Sequence, residues 1–140
     1  MGSIIAIDFG EKRTGLAHTD PEKIIASGLC TLPTAEVLPF LQKHLEENEV
    51  ETFVVGYPQQ KDGTPSEVEK AIVVFVASLK KKFPAIKVER YAERLTSKMA
   101  WQTLKTSTVK KKHRQNKELL DKISATLILQ SYLSYQSNML

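Results

Sequence analysis

Residues 3–17, Ser3-Ile4-Ile5-Ala6-Ile7-Asp8-Phe9-Gly10-Glu11-Lys12-Arg13-Thr14-Gly15-Leu16-Ala17, constrain the chain more than any other stretch. Two short apolar runs are joined by a turn centred on Gly10-Glu11-Lys12. Short, Ile-rich runs broken by glycine read as strands, so the stretch is a tight β-hairpin. It ends its first strand on an acid, Asp8, held at the rim of a sheet. A carboxylate fixed there can hold a hard metal ion, but one acid is not a site, and the rest of the chain must supply partners.

The remaining elements follow in order. Ile24-Ile25-Ala26-Ser27-Gly28-Leu29-Cys30-Thr31-Leu32 is a third strand after the turn chemistry of Asp20-Pro21-Glu22. Thr34 offers an N-cap for a helix from about Ala35 to Asn48, with Val37, Phe40, Leu41 and Leu45 at helical spacing. Glu51 to Tyr57 is a nearly continuous apolar run, as expected of a strand covered on both faces. Thr64-Pro65-Ser66-Glu67 starts a second helix that carries Val68, Ile72, Phe75, Val76 and Leu79 inward and finishes near Lys82. Ile86 to Tyr91 is a fifth strand. Thr96 or Ser97 caps a short helix through Trp101 and Leu104. The apolar pattern then gives way to a mobile basic loop, and a last helix runs from about Lys117 to Tyr135, with Leu120, Ile123, Leu127 and Ile128 inward. The order predicts an α/β fold: a mixed sheet of three antiparallel and then two parallel strands, flanked by helices in a single domain.

Composition narrows function only a little. The 140 residues carry a net charge of +4, which suits an anionic partner. A single cysteine, Cys30, excludes an internal disulfide or a cysteine-rich zinc site and reads as a small buried strand residue. There is no signal pattern and no apolar run of membrane-spanning length, so the expectation is cytoplasmic with no membrane partner.

Ligands of open sheets gather at the carboxyl ends of strands. Asp8 ends the first strand, Gly56-Tyr57-Pro58 the fourth, and Glu93 lies just past the fifth. Asp121 sits three and four positions before Ser124 and Ala125, a small helix face that lets the helix lie close to the sheet. If Asp8, Glu93 and Asp121 converge, their mutual repulsion calls for Mg²⁺ or Mn²⁺, hard cations that take oxygen ligands. Read on spacing alone, Glu93 and Asp121 are more simply solvated helix-end acids. Lys12 and Arg13 are candidate phosphate contacts or ordinary turn cations, and Arg94 a phosphate ligand or an orienting partner for an acid. Lys110, Lys111, Lys112 and Arg114 read as a loop that binds a nucleic-acid backbone, a salt-dependent contact without sequence choice. His18 is set aside as a base: with Asp8 near Thr14 and His18 opposite Ile4, strand rise separates the two by roughly 13 Å. His44 lies on the polar side of the first helix. Trp101 and Tyr91 are more naturally packing residues than stacking ones.

Ile7-Asp8-Phe9-Gly10-Glu11-Lys12-Arg13-Thr14-Gly15-Leu16-Ala17 resembles the opening signature of the YqgF family, also called RuvX. Val54-Val55-Gly56-Tyr57-Pro58 with Asp62-Gly63-Thr64 resembles its second motif. Glu93-Arg94-Leu95-Thr96-Ser97 resembles its third, and the stretch from Asp121 to Leu133 its last helix. The resemblance implies an RNase H-like fold and a metal-dependent nuclease acting on the 5′ end of precursor 16S ribosomal RNA, with the ribosome as a further partner. It also implies, as alternatives, a resolvase of branched DNA or a catalytically impaired nucleic-acid-binding module. Monomer and homodimer stay open. An ATP-using actin-like enzyme, which also opens on an Asp-x-Gly hairpin, needs two such domains. Ala92 departs from the family's usual Asp-Glu-Arg: a metal ligand is lost if that aspartate is the ligand, and the three-acid set is complete if Glu93 is.

Overall fold

A computed structural model describes residues 2–57, 68–92 and 117–139, with side chains described for 124–136 of the last stretch. The described residues form a five-stranded sheet of order β3-β2-β1-β4-β5, with β1 Ser3–Asp8, β2 Arg13–Thr19, β3 Ala26–Pro33, β4 Val50–Tyr57 and β5 Lys87–Ala92. β1–β2 and β2–β3 are antiparallel, whereas β1–β4 and β4–β5 are parallel. Helices α1 (Val37–Glu47), α2 (Glu69–Lys82) and α3 (Lys117–Met139) flank it. This is the mixed sheet that the element order predicts.

Side chains alternate across each strand and divide the core in two. Ile5, Ile7, Leu16, Phe53 and Val55 pack with Val37 and Leu41 of α1 and Ile72, Phe75 and Leu79 of α2. Ile4, Ala6, Ala17, Val54 and Tyr91 occupy the other face with Ala125, Ile128, Leu129 and Tyr132 of α3. The alanines on both sides of that second interface keep the contacting side chains short, and α3 lies against β2, β3 and β1. No helix among the described residues is long and apolar enough to cross a membrane.

Three local expectations are corrected. The hairpin pairs Asp8 with Gly15 and Ile5 with His18, one residue away from the expected register. The turn is centred between Glu11 and Lys12, not on Glu11. It is fixed by Gly10, where a Cβ would lie 2.3 Å from the Arg13 carbonyl oxygen, so only glycine fits. Ile24 and Ile25 are not in β3. The Asp20 carboxylate accepts both of their backbone N–H groups at 2.8 Å, which makes them turn residues and leaves them 68% and 63% exposed. Thr34 does not cap α1: it begins a 3-10 turn, Thr34–Glu36, and its hydroxyl is used elsewhere. α1 accordingly starts at Val37, two residues later than expected from Ala35. The Thr64 helix start, the short helix near Trp101 and the basic loop lie outside the described residues.

Candidate active site

The parallel strands β1, β4 and β5 end at one edge of the sheet, on Asp8, Tyr57 and Ala92. Asp8 follows Ile4 and Ala6 by alternation onto the face that α3 covers, and it is half-buried there. Its partner across the hairpin is Gly15. On the other side, Ile7 pairs with Val55, so Gly56 is the residue next to Asp8. The carboxylate therefore has a glycine on each flank, and Gly56 in turn pairs with Tyr91. Phe9, the next residue along, turns the other way and packs on Phe75 of α2 with ring centroids 5.0 Å apart.

The turn beyond Asp8 is held by a circuit of hydrogen bonds. Gly10 N–H donates to Thr14 Oγ1 at 3.5 Å, and the Thr34 hydroxyl donates to the Gly10 carbonyl at 2.5 Å. The 2.9 Å contact between the two threonine hydroxyls then leaves Thr14 as its donor. Thr34 N–H also donates to the Lys12 carbonyl at 3.0 Å. One threonine from the end of β3 thus fixes the turn that carries Lys12 and Arg13. Lys12 is exposed and Arg13 half-buried, so both can meet an anion approaching this edge.

Of the other acids, Asp121 lies in α3, four positions and one helical turn before Ala125, so its position continues the buried row of Ala125, Ile128 and Tyr132 toward the helix N-terminus. Its side chain lies outside the described residues, as do Glu93, Arg94, Lys110, Lys111, Lys112 and Arg114. Among the described residues no three His, Cys, Asp or Glu gather as a metal site. Ala92 is described, and it pairs with Tyr57. It alternates with Tyr91 and so stands with Arg90 on the α2 side of the sheet, away from Asp8.

His18 falls on the opposite face from Asp8, three residues along β2 from Gly15, and is not a base for this site. It meets His44 instead, with ring centroids 6.4 Å apart. His44 is half-buried rather than fully solvated and stacks on Phe40. Tyr91 is 7% exposed and packs edge-on against Tyr132, as a packing residue should. Its hydroxyl contacts Ser131 Oγ at 2.6 Å. Tyr132 donates to Glu89. Burial works to raise the Glu89 pKa, but Lys87 at 2.7 Å and the Tyr132 hydroxyl outweigh it and hold the carboxyl below its usual value.

Sequence reasoning missed Arg90. Its guanidinium makes a two-pronged pair with Glu69 of α2, at 2.7 and 2.9 Å. It also donates to the carbonyls of Val55 and Gly56 at 3.3 and 3.0 Å and lies 5.0 Å from the centre of the Tyr57 ring. Nothing local in Val88-Glu89-Arg90-Tyr91 announces this, because every partner lies far away in sequence.

A protein-family model described as RuvX, Holliday junction resolvase, matches residues 2–135. A protein of Phocaeicola vulgatus named "Putative pre-16S rRNA nuclease" is 52% identical over 95% of this chain and 96% of its own length. Proteins with the same name from Flavobacterium johnsoniae and Flavobacterium psychrophilum are 50% and 48% identical, each over 96% of this chain and over 97% and 98% of their own lengths.

Proposed function

The chain belongs to the RuvX family, and we propose from that membership that it is a nuclease that matures the 5′ end of precursor 16S ribosomal RNA. It is a hydrolase of phosphodiester bonds in nucleic acid. The observation that carries the reading is the near-complete match to relatives bearing that name, joined to an acid at the shared carboxyl edge of three parallel strands. A rRNA precursor places the work in the cytoplasm, beside the assembling ribosome.

The chemistry of Asp8 suits a hard cation: it is a carboxylate at a strand end, with no side chain on the cross-strand residue to either side of it. Asp8, Glu93 and Asp121 would hold Mg²⁺ or Mn²⁺, which when bound supplies an activated water and stabilisation of the leaving oxygen. Lys12 and Arg13 draw the phosphate backbone to the edge, and the Thr14–Thr34 circuit keeps their turn in place. Lys110, Lys111, Lys112, Arg114 and Arg94 extend that contact along the substrate, Arg94 with an orienting role toward the acid beside it as its alternative. The placement of Ala92 on the α2 side of the sheet supports a set that uses Glu93 and not position 92.

The family description favours a second reading, cleavage of a four-way DNA junction. Both are tested by incubating the pure protein with precursor 16S rRNA and with a four-way junction, in Mg²⁺ or Mn²⁺, beside Asp8→Asn. The expected outcome is metal-dependent cleavage of the RNA alone, abolished in Asp8→Asn. Cleavage confined to the junction would replace the first reading by the second. No cleavage of either would leave a binding module.

A further inference from the structure

We propose that Arg90 is a positioning residue of the catalytic edge, holding the end of β4 beside Asp8 in register with helix α2. Resting on the nuclease reading for its consequence, the proposal takes its evidence from contacts independent of that reading. Gly56, whose carbonyl accepts from Arg90 at 3.0 Å, is the residue adjacent to Asp8. Tyr57, where β4 ends, lies against the same guanidinium, and Glu69, where α2 begins, binds it at two points. One planar group therefore joins both ends of the segment between strand and helix and anchors the peptide next to the catalytic acid.

The chemistry demands arginine. Three nitrogens in one plane serve four oxygen acceptors while the guanidinium carbon lies over the Tyr57 ring; an ammonium is a point donor and cannot do both. The pair is set into the protein, with side chains only 25% and 12% exposed for Arg90 and Glu69, so water competes poorly for these contacts. Gly56 has no side chain with which to pack itself in place, and the guanidinium supplies that fixation through the backbone. A shift of the peptide there moves the neighbour of Asp8, and small displacements of reacting groups are costly in rate.

The test compares the full chain with Arg90→Lys, Arg90→Met and Glu69→Gln. Two quantities are read: steady-state cleavage of precursor 16S rRNA in Mn²⁺, and amide hydrogen exchange at residues 55–57 without substrate. Both Arg90 variants should lower kcat by about tenfold or more while KM stays within about twofold. Both should speed exchange at Gly56 and Tyr57 more than in the α3 interface. Glu69→Gln, which leaves the carbonyl contacts in place, should keep more than about half of kcat, since a neutral amide oxygen still accepts one N–H. Wild-type kcat and exchange in Arg90→Lys would overturn the proposal, as would a fall in kcat without faster local exchange. If the unmodified chain cleaves nothing, the nuclease reading fails, and the exchange measurement still decides whether Arg90 holds β4.

Discussion

Gly56 stands beside Asp8 at the edge of the sheet, one residue past the Ile7–Val55 pair, as Gly15 does on the other side. A strand interior gains from a side chain: glycine there costs about 0.5–1 kcal/mol relative to alanine. Two buried glycines flanking one carboxylate run against that preference and keep side chains off both sides of the acid. Gly56→Ala, which adds a methyl at a buried position beside Asp8, is therefore expected to lower kcat by about tenfold. Thermal denaturation and cleavage assays on the same preparation check this. A variant with full activity would show that a glycine is not needed beside the acid, and a large drop in melting temperature would assign it to packing.

Ala92 pairs with Tyr57 and shares the side of the sheet on which Arg90 meets α2. Restoring the family's aspartate there should add no carboxylate to the Asp8 side. Ala92→Asp is expected to change kcat by less than about twofold, since the added carboxylate stands on the side of the sheet away from Asp8, while Glu93→Gln abolishes metal-dependent cleavage. A parallel titration of activity against Mn²⁺ checks both. A marked gain in Mn²⁺ affinity in Ala92→Asp would mean that position 92 reaches the metal after all.

The element order was legible because each element carries its own local signal. The Ile-rich runs of the hairpin, the β-branched run of β4 and the helical spacing of Ile72, Phe75 and Leu79 all state their state and their buried side within a few residues. Errors arose where a distant atom decides a local conformation. The hairpin register depends on Gly10 meeting the Arg13 carbonyl and on Thr34 reaching back 24 residues to Gly10. The same long reach takes the Thr34 hydroxyl away from the helix it was expected to cap. Ile24 and Ile25 have strand composition, but Asp20 captures their N–H groups first. At the site, Asp8 was legible as an acid at a strand end, whereas its glycine flanks needed the register and Arg90 needed three elements assembled.

Thr34 is the single side chain that closes the circuit around the turn, with one bond to the Gly10 carbonyl and one to Thr14. Thr34→Val keeps the shape and removes both. Leaving two part-buried polar groups without their partner is expected to cost about 1–3 kcal/mol, and Thr34→Ser should recover most of it. Urea denaturation of the three chains measures this. Because the turn carries Lys12 and Arg13, Thr34→Val should also raise KM for RNA more than it lowers kcat; unchanged stability in the valine variant would mean that the circuit does not hold the turn.

His44 sets a pH dependence of folding that is separate from the sheet edge that carries Asp8. Burial, then repulsion from His18, lowers the His44 pKa from its ordinary 6.5, against a smaller opposing pull from Glu47. A histidine whose folded pKa is depressed binds its proton more readily in the unfolded chain. As pH falls through 6.5, the unfolded state takes up that proton first and stability declines. The decline from this group ends once pH is below the folded pKa, where both states are protonated. Stability should therefore be fully supported above pH 7 and should slope downward through the range just below 6.5, before carboxylate titration begins. His44→Gln, which cannot titrate, is expected to flatten that slope without affecting stability changes at more acidic pH. Urea midpoints measured every half unit from pH 7.5 to 5.5 check it, and an equal slope in the variant would place the titration on another group.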